Sequence, residues 1–334
     1  MKIAIHQHDG SFSESWIDYC KYNNIEYKIV NAYDSDIVEQ VKDCDAFMWH
    51  HNHGDYRDVL FAKQLIYSLE TAGIKCFPNY HTTWHFDDKV GQKYLLEAIH
   101  APLVPSYVFY TKKEALQWID HTSFPKVFKL RGGAGAANVK MVDSADKAKK
   151  LVKKAFGKGF LQFDRIGYLK ERYRKWREGK DSFIGVLKGL GRVLIITDFA
   201  KMHPREKGYA YFQEFIPNNE FDTRVVVIGG ERALYERRYC RKGDFRASGS
   251  GFFEYVEADK RVLEIAFRVA RQLCLQSVAF DFIYDQEVPL IVEMSYGFGT
   301  KGISQCLGYY TQDLKWHDEP QPNFYGWMVD LLLE

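Results

Sequence analysis

The chain is predicted to open as an α/β domain with a small parallel sheet and to continue as α+β subdomains, on three observations. Strand-like and helix-like segments alternate from Met1 to Phe77. A glycine- and alanine-rich stretch separates two apolar strands in FPKVFKLRGGAGAANVKMV, Phe124–Val142. Long β-branched strands then surround one helix from Thr223 to Met294, which predicts an antiparallel sheet backed by helices.

The N-terminal alternation predicts individual elements. Gly73 ends one helix and Pro78 breaks the pattern, so we expect a domain boundary near Pro78–His85. Because strands alternate with helices, the sheet should be parallel. The predicted strands are Lys2–His6, Glu26–Val30, Ala46–Trp49 and Ile74–Phe77, and the predicted helices are Phe12–Tyr22 and Tyr56–Thr71.

The rest of the chain divides into two further regions, so the predicted domains are 1–84, 85–208 and 209–334. The middle region holds the glycine-rich hairpin, and the last one holds two pairs of strands around a helix. Predicted helices are Asp87–Ile99, Lys112–Asp120, Ala145–Phe156 and Asp259–Leu273, and predicted strands are Tyr107–Tyr110, Thr223–Ile228, Ala233–Tyr239, Val278–Tyr284 and Leu290–Met294.

Composition is that of a soluble enzyme with a sizeable core. The 334 residues are 46% hydrophobic, and 46 basic against 44 acidic residues leave a net charge of +2, so no global field attracts nucleic acid or a membrane. The six cysteines form no CxxC pair, and the first residues, MKIAIHQHDG, lack the apolar core of a signal peptide. We therefore expect reduced thiols that lie in the core, no membrane span and a cytoplasmic location.

The hairpin points to nucleotide chemistry. Lys129 ends an apolar strand, and the loop Gly132–Ala137 follows with Gly132, Gly133 and Gly135. Glycines let backbone N–H groups approach phosphate oxygens, and an ammonium serves as a mobile point charge. The alternative is a solvated hairpin with a surface lysine. The chain has no GxxxxGK[ST] sequence, which excludes a P-loop nucleotide site by its own motif.

Two carboxylates are candidates for a metal site. Asp281 in AFDF and Glu293 in IVEMS lie near the ends of two apolar strands joined by a short turn, which places them side by side. Neighbouring carboxylates repel each other unless a cation lies between them, and oxygen ligands are those that magnesium requires. The alternative is a pair of acids at strand ends that face water.

The order of these pieces resembles the ATP-grasp ligases. DDK at Asp87–Lys89, the hairpin, QEFIPNNEFDTRVVVI at Gln213–Ile228 and the acid pair follow one another as in that superfamily. The likeness covers about Met1 to Gly302; it is closest to the ribosomal-protein glutamate ligases and more distant to D-alanine–D-alanine ligase and glutathione synthetase. It implies an ATP-grasp fold, with an N-terminal Rossmann-like pre-ATP-grasp domain and two α+β subdomains that clamp ATP.

The resemblance assigns a nucleotide site. It implies that Lys89 and Lys129 contact the ATP phosphates and that Gly132–Ala137 is a lid above them. It also implies that the segment Gln213–Ile216 is the hinge that contacts adenine, through Gln213, Glu214 and Ile216. Glu220 would hold the ribose hydroxyls. The alternative for QEFI is an ordinary edge strand.

The resemblance also assigns the reacting groups. Arg224, Arg238 and Arg246 match arginines that hold a carboxylate and a transferring phosphoryl group. Asp281 and Glu293 match magnesium ligands, but Ser295 stands where the family has the Asn of an ExN motif. A hydroxyl is a poorer ligand than an amide carbonyl, so this departure from the family bears on metal affinity and activity.

The function that the resemblance implies is ATP-dependent ligation of a carboxylic acid to an amine through an acyl phosphate. ATP and Mg²⁺ are the implied cofactors, and a small-molecule carboxylic acid and an amine are the partners; a homodimer is left open. The alternatives are a degenerate ATP-binding protein without ligase activity and a nucleic-acid-associated module. The second rests on the basic insertion Gln162–His203, where Leu169, Tyr173 and Trp176 are predicted to form a core face instead.

The acid substrate is the least determined feature. Sequences with a glycine loop of the RGGAG type resemble a subgroup of ATP-grasp proteins associated with surface polysaccharide pathways. This resemblance suggests a sugar acid as the substrate. Aromatic and imidazole side chains at the ends of N-terminal strands would suit a sugar ring, and a glutamate-type acid is the rival. The candidates are His6, His8, Trp49, His51, His53 and Trp84. The cluster HHNHGD, His50–Asp55, is also a weaker candidate for a transition-metal site.

Overall fold

The computed structural model of the protein describes residues 1–132, 138–161, 205–241 and 243–334, with isolated positions between 161 and 205. Its N-terminal part is a parallel sheet in the strand order β2-β1-β3-β4, which confirms the parallel sheet predicted from the alternation. The strands are β1 (Lys2–His6), β2 (Glu26–Val30), β3 (Ala46–Met48) and β4 (Lys75–Phe77), and the helices are α1 (Ser13–Tyr22), α2 (Ile37–Gln40) and α3 (Tyr56–Thr71).

The second sheet is antiparallel and has the order β5-β8-β6-β7. The glycine-rich hairpin is present, with Lys126 opposite Val142 and Lys129 opposite Val139. Two amphipathic helices cover one face of the sheet and bury Ala115, Ile119 and Val152 against it. The strands are β5 (Ser106–Phe109), β6 (Lys126–Lys129), β7 (Val139–Val142) and β8 (Ala210–Glu214). Four helices follow β4 in the chain before β8: α4 (Tyr80–Thr83), α5 (Lys89–Ala98), α6 (Lys112–His121) and α7 (Ala145–Ala155).

The third sheet is antiparallel, with the order β13-β12-β9-β10-β14-β15 and β11 beside β10. Helix α8 (Lys260–Gln272) begins with an Asp259 cap and buries its apolar stripe on this sheet, as the sequence predicted. The strands are β9 (Phe221–Ile228), β10 (Arg232–Tyr239), β11 (Phe253–Glu254), β12 (Ser277–Asp285), β13 (Val288–Ser295), β14 (Gly308–Thr311) and β15 (Trp316–Asp318).

A last helix, α9 (Phe324–Leu333), joins the two ends of the chain. It packs against α1, and the Tyr19 hydroxyl donates a hydrogen bond to Asp330 at 2.8 Å. One core cluster contains buried residues of the parallel sheet, of the third sheet and of α9, among them Ile5, Val226 and Met328. The N-terminal parallel sheet therefore shares its core with the C-terminal region.

Three features differ from the sequence predictions. Strands β11, β14 and β15 and helices α2, α4 and α9 were not predicted, because their short or continuously apolar sequences carry no clear period. The prediction that Tyr173 and Trp176 belong to a core face is wrong, since they are 50% and 38% exposed. Cys274 is exposed rather than in the core. Across the described residues, no helix combines the length and the apolar character needed to cross a membrane.

Candidate active site

A cavity of about 610 Å³ lies between the second and third sheets. Side chains of β6, β7 and β8 form one wall, and side chains of β9, β10, β12 and β13 form the other. This volume is in the range of sites that bind a nucleotide-sized ligand. Most of the predicted site residues line it: Lys89, Lys129, Gln213, Glu214, Ile216, Arg224, Arg238, Arg246, Asp281, Glu293 and Ser295.

The two predicted phosphate lysines enter the cavity from different elements. Lys89 begins α5, and its backbone N–H donates to the carbonyl of Arg131 at 3.0 Å, which holds the helix start against the end of β6. Burial opposes its charge, but Glu293, 3.1 Å away, more than compensates and raises the pKa of Lys89. Lys129 is 4% exposed, and burial lowers its pKa to about 8 although Glu293 lies nearby.

Strand register places four charged residues in one row across the third sheet. Glu236 of β10 is opposite Arg224 of β9, Arg224 is opposite Asp281 of β12, and Asp281 is opposite Glu293 of β13. Residues directly opposite each other have Cβ atoms about 5 Å apart. Three carboxylates and one guanidinium from four strands therefore lie side by side on the cavity wall.

Two arginines hold Asp281. Arg224 donates two hydrogen bonds to its carboxylate, at 2.8 and 3.0 Å, and Arg238 forms an ion pair with it at 2.7 Å. Arg238 also donates two bonds to Asp222, both at 2.6 Å. Burial would raise the pKa of Asp281, but the two guanidiniums hold it well below its usual range. Asp281 is therefore an anion that the fold keeps charged in a buried site.

The donor set at Asp281 and Glu293 fits a hard divalent cation. The two carboxylates occupy opposite positions on adjacent strands, and Ser295 lies two residues beyond Glu293, with its hydroxyl donating to the Gly297 carbonyl at 3.0 Å. Within the described ranges, no cluster of three or more His, Cys, Asp or Glu side chains offers a complete protein shell. Such a pair suits magnesium, which keeps waters and phosphate oxygens among its ligands.

The predicted hinge lies at the end of β8. Gln213 is buried and its side chain donates to the Ser106 hydroxyl at 3.0 Å. The Glu214 carboxylate accepts two hydrogen bonds from Lys126, each at 2.7 Å. Phe215 and Ile216 continue along the cavity wall. The Gln213 and Glu214 side chains are thus engaged by neighbouring strands, while the segment itself borders the cavity.

The remaining predicted residues are Glu220, three loop glycines and Arg246. Glu220 is exposed and does not line the cavity. Gly132 is buried and does not line the cavity, and Gly133 and Gly135 fall outside the described residues, as does most of the insertion 162–203. Arg246 lines the cavity and donates to Asp244 at 2.7 Å.

The histidine-rich N-terminal segment contributes little to the cavity. Trp49, His51 and His6 are at most 3% exposed and pack in the N-terminal core. Burial lowers the pKa of His6 to about 4, as expected for a neutral core imidazole. Among the proposed sugar-contacting residues, all of which the structure describes, only His53 lines the cavity.

The sequence analysis missed Glu236 and the role of Asp222. Glu236 is 1% exposed and lines the cavity, and Asp222 bridges to Arg238. The available signal was the two-residue period of β10, which puts Glu236 on the same face as Arg238.

A lysine-bearing hairpin and a row of carboxylates and arginines, facing each other across a cavity between two antiparallel sheets, define an ATP-grasp fold. Residues 203–313 match the model of the RimK-like ATP-grasp domain family. The RimK domain ATP-grasp protein of Sphaerobacter thermophilus superposes with a TM-score of 0.62 at 15% identity over 100% of both chains. D-alanine–D-alanine ligase of Bacillus anthracis complexed with ATP gives 0.55 at 15% identity, over 90% of this chain and 87% of that one.

Among curated proteins, the chain is similar to the ribosomal protein bS6–L-glutamate ligase of Escherichia fergusonii, with 25% identity over 134 residues. This match covers 40% of this chain and 40% of the relative's length. The structural likeness over the whole chain shows the shared fold, and the sequence match concerns one part of the chain.

Proposed function

We propose that this chain is an ATP-dependent ligase that joins a carboxylic acid to an amine. One observation carries the proposal: residues chosen from separate parts of the sequence meet at one cavity. Lys89, Lys129, Arg224, Asp281 and Glu293 come from one helix and four strands of two sheets. A set of unrelated surface charges has no reason to converge in this way.

The arrangement supports a particular pose of ATP. The base lies against the hinge Gln213–Ile216, and the phosphates lie between Lys89, Lys129 and the third sheet. A magnesium ion held by Asp281 and Glu293 would neutralise charge on the phosphates. The buried ammonium of Lys129 gains an anionic partner when the phosphates bind, which favours its charged form.

The reaction then needs positioning and electrostatics rather than a protein nucleophile. An oxygen of the acid substrate bonds to the γ-phosphorus of ATP, the bond to the β-phosphate bridging oxygen breaks, and ADP leaves. An amine then bonds to the carbonyl carbon of the acyl phosphate, and inorganic phosphate departs. Arg246 and the Arg224–Arg238 pair supply donors for the acid and for the transferring group.

We propose the limits 1–84, 85–208 and 209–334 for the N-terminal domain and the two clamping subdomains. The second and third sheets form the two walls of the cavity, which supports the last two units. The segment between 84 and 89 leads directly into the start of α5, where Lys89 lies.

A screen for phosphate release tests the activity. The protein would be incubated with ATP, magnesium and a matrix of acids, including L-glutamate, D-alanine and glucuronate, against amino acids and simple amines. We expect release that requires one acid and one amine together. The Glu231→Gln variant, altered at an exposed turn, should behave as the wild type. Release that is independent of every acid and amine would contradict the ligase proposal.

Ser295 favours one alternative, an ATP-binding protein without turnover. Its hydroxyl replaces an amide ligand and is bonded to Gly297. ATP binding by calorimetry without phosphate release for any substrate pair would support that alternative.

Within the ligase proposal, a sugar acid is supported by the RGGAG sequence and by His53 at the cavity, and a glutamate-type acid by the similarity to a glutamate ligase. Glucuronate and L-glutamate in the screen separate the two.

A further inference from the structure

One carboxylate oxygen of Glu236 is buried and has no hydrogen-bond partner among the described residues. The Glu236 side chain is 1% exposed and lines the cavity, and its Oε2 atom accepts no hydrogen bond from any residue that the structure describes. A buried polar atom that lacks a partner costs free energy, so such an atom on the wall of a site calls for a ligand. Neither the placement of ATP nor the carboxylate pair Asp281–Glu293 uses it.

Glu236 lies next to residues that the cavity shares with a second groove. A Cβ atom on Gly302 would overlap the Glu236 carboxylate and also come 2.7 Å from the Phe253 ring, so these three residues are in immediate contact. Phe253, Gly251 and Lys301 line the cavity and also a second, shallower groove that reaches the surface beside β11. A molecule at the junction of the groove and the cavity would lie against Phe253, which is next to Glu236.

The surroundings of Glu236 combine opposing charges. Arg224 and Arg238 face it from β9 and β10, Asp222 and Asp281 face it from β9 and β12, and Tyr255 and Cys306 approach it from the segments packed above. Burial is the largest effect, and it raises the pKa of Glu236 to about 7 in spite of the two arginines. A carboxyl group with this property can take up a proton near neutral pH.

We infer that Glu236 binds the attacking amine and accepts its proton. This role rests on the proposed ligase function. The amine enters by the groove, its ammonium loses one proton to solvent, and the neutral nitrogen donates a hydrogen bond to Glu236. As the nitrogen bonds to the carbonyl carbon of the acyl phosphate, the N–H proton passes to the Glu236 carboxylate. The bond from carbon to the phosphate oxygen breaks, and inorganic phosphate leaves with its electron pair.

Comparison of two nucleophiles tests this role. Hydroxylamine is largely unprotonated at neutral pH and traps an acyl phosphate without help from a base. Wild type, Glu236→Gln and the exposed control Glu231→Gln would be assayed with ATP, magnesium and either L-glutamate or glucuronate. Each acid would be paired with hydroxylamine or with an amino acid amine. Glutamine keeps the size of glutamate, and binding of ATP by calorimetry checks that the variant is folded.

For Glu236→Gln we expect hydroxamate formation within about 3-fold of wild type and amide formation lowered about 100-fold or more. The residual amide formation should rise with pH as free amine accumulates, without the wild-type plateau. Equal loss with both nucleophiles in a variant that binds ATP would show a structural role and overturn the inference, as would unchanged amide formation. A wild type that yields neither product would overturn the ligase proposal and this role with it.

Discussion

Lys129 brings a positive charge into a buried position, where the residue is only 4% exposed. No described residue forms a hydrogen bond or ion pair with its ammonium, whereas Lys89 beside it is matched by Glu293. The cost of that burial appears as a pKa lowered to about 8. A stability cost of this kind is usual where a buried cation binds an anionic ligand, because the same charge favours binding and disfavours the unliganded fold.

The first prediction is that Lys129→Met stabilises the protein without ligand and weakens ATP binding. Because the folded-state pKa lies below the unfolded one, the charge costs stability below about pH 8, and the cost fades as pH rises towards the unfolded value of 10.5. Thermal unfolding should show a gain of about 1–3 kcal/mol at neutral pH that disappears at alkaline pH. Lys140→Met, exposed on β7, is the control. A variant less stable than wild type at neutral pH would contradict this account.

The second prediction separates the two carboxylates. Asp281→Asn leaves the guanidiniums of Arg224 and Arg238 without their shared anion, so stability should fall by about 3–5 kcal/mol. Glu293→Gln affects a half-buried group that forms an ion pair with Lys89, so its stability cost should be smaller. Both variants should lose at least about 100-fold in ATP turnover. Chemical denaturation measures stability, and phosphate release measures turnover. Equal stability of the two variants would contradict the prediction that Asp281 is held more strongly by its arginines than Glu293 is by Lys89.

At the scale of elements, the contact between α1 and α9 is closely packed. Gly326 lies where a Cβ atom would overlap the ring of Tyr19, and the same tyrosine donates its hydroxyl hydrogen bond to Asp330. One glycine therefore sets how near the two helices approach each other. Larger residues at such a position force a shift of a helix that is buried along most of one side.

The third prediction is that Gly326→Ala lowers the free energy of unfolding by about 1–3 kcal/mol. Alanine is otherwise the better helix former, so a gain in stability would mean that the helices separate without cost. Gly299→Ala is the control, since no atom lies within 4 Å of its added Cβ. Urea denaturation of both variants, followed by tryptophan fluorescence, would measure the difference.

The elements that could be predicted from the sequence are those with a clear period or cap. Helix Tyr56–Thr71 and strand Glu26–Val30 have the predicted bounds, and the acid pair of β12 and β13 lies in register as the short turn required. Helix α9 could not be predicted, because it is apolar around its circumference and obtains its stability from two distant parts of the chain. For Glu236, the period of β10 gave only its face, and the pairing of β10 with β9 was needed to show that it lies opposite Arg224.

For the molecule as a whole, the shared core ties the N-terminal sheet to the third sheet through α9. Its buried residues Phe324, Met328, Val329 and Leu332 are each at most 2% exposed. Burying one such side chain contributes about 1.5–3 kcal/mol, so the four together approach the total stability of a typical domain. The parallel sheet and the sheet that carries the acid pair should therefore unfold as one cooperative unit.

The last prediction tests that coupling with Met328→Ala. Removing a fully buried side chain from the shared core should cost about 2–5 kcal/mol. If the two sheets form one cooperative unit, hydrogen exchange of the slowest amides should accelerate by the same factor in β1 and in β9. Leu333→Ala, exposed at the end of the same helix, should leave both strands unchanged. Acceleration confined to α9 and β1, with β9 as slow as in the wild type, would show that the N-terminal domain opens by itself and that the shared core does not couple the two regions.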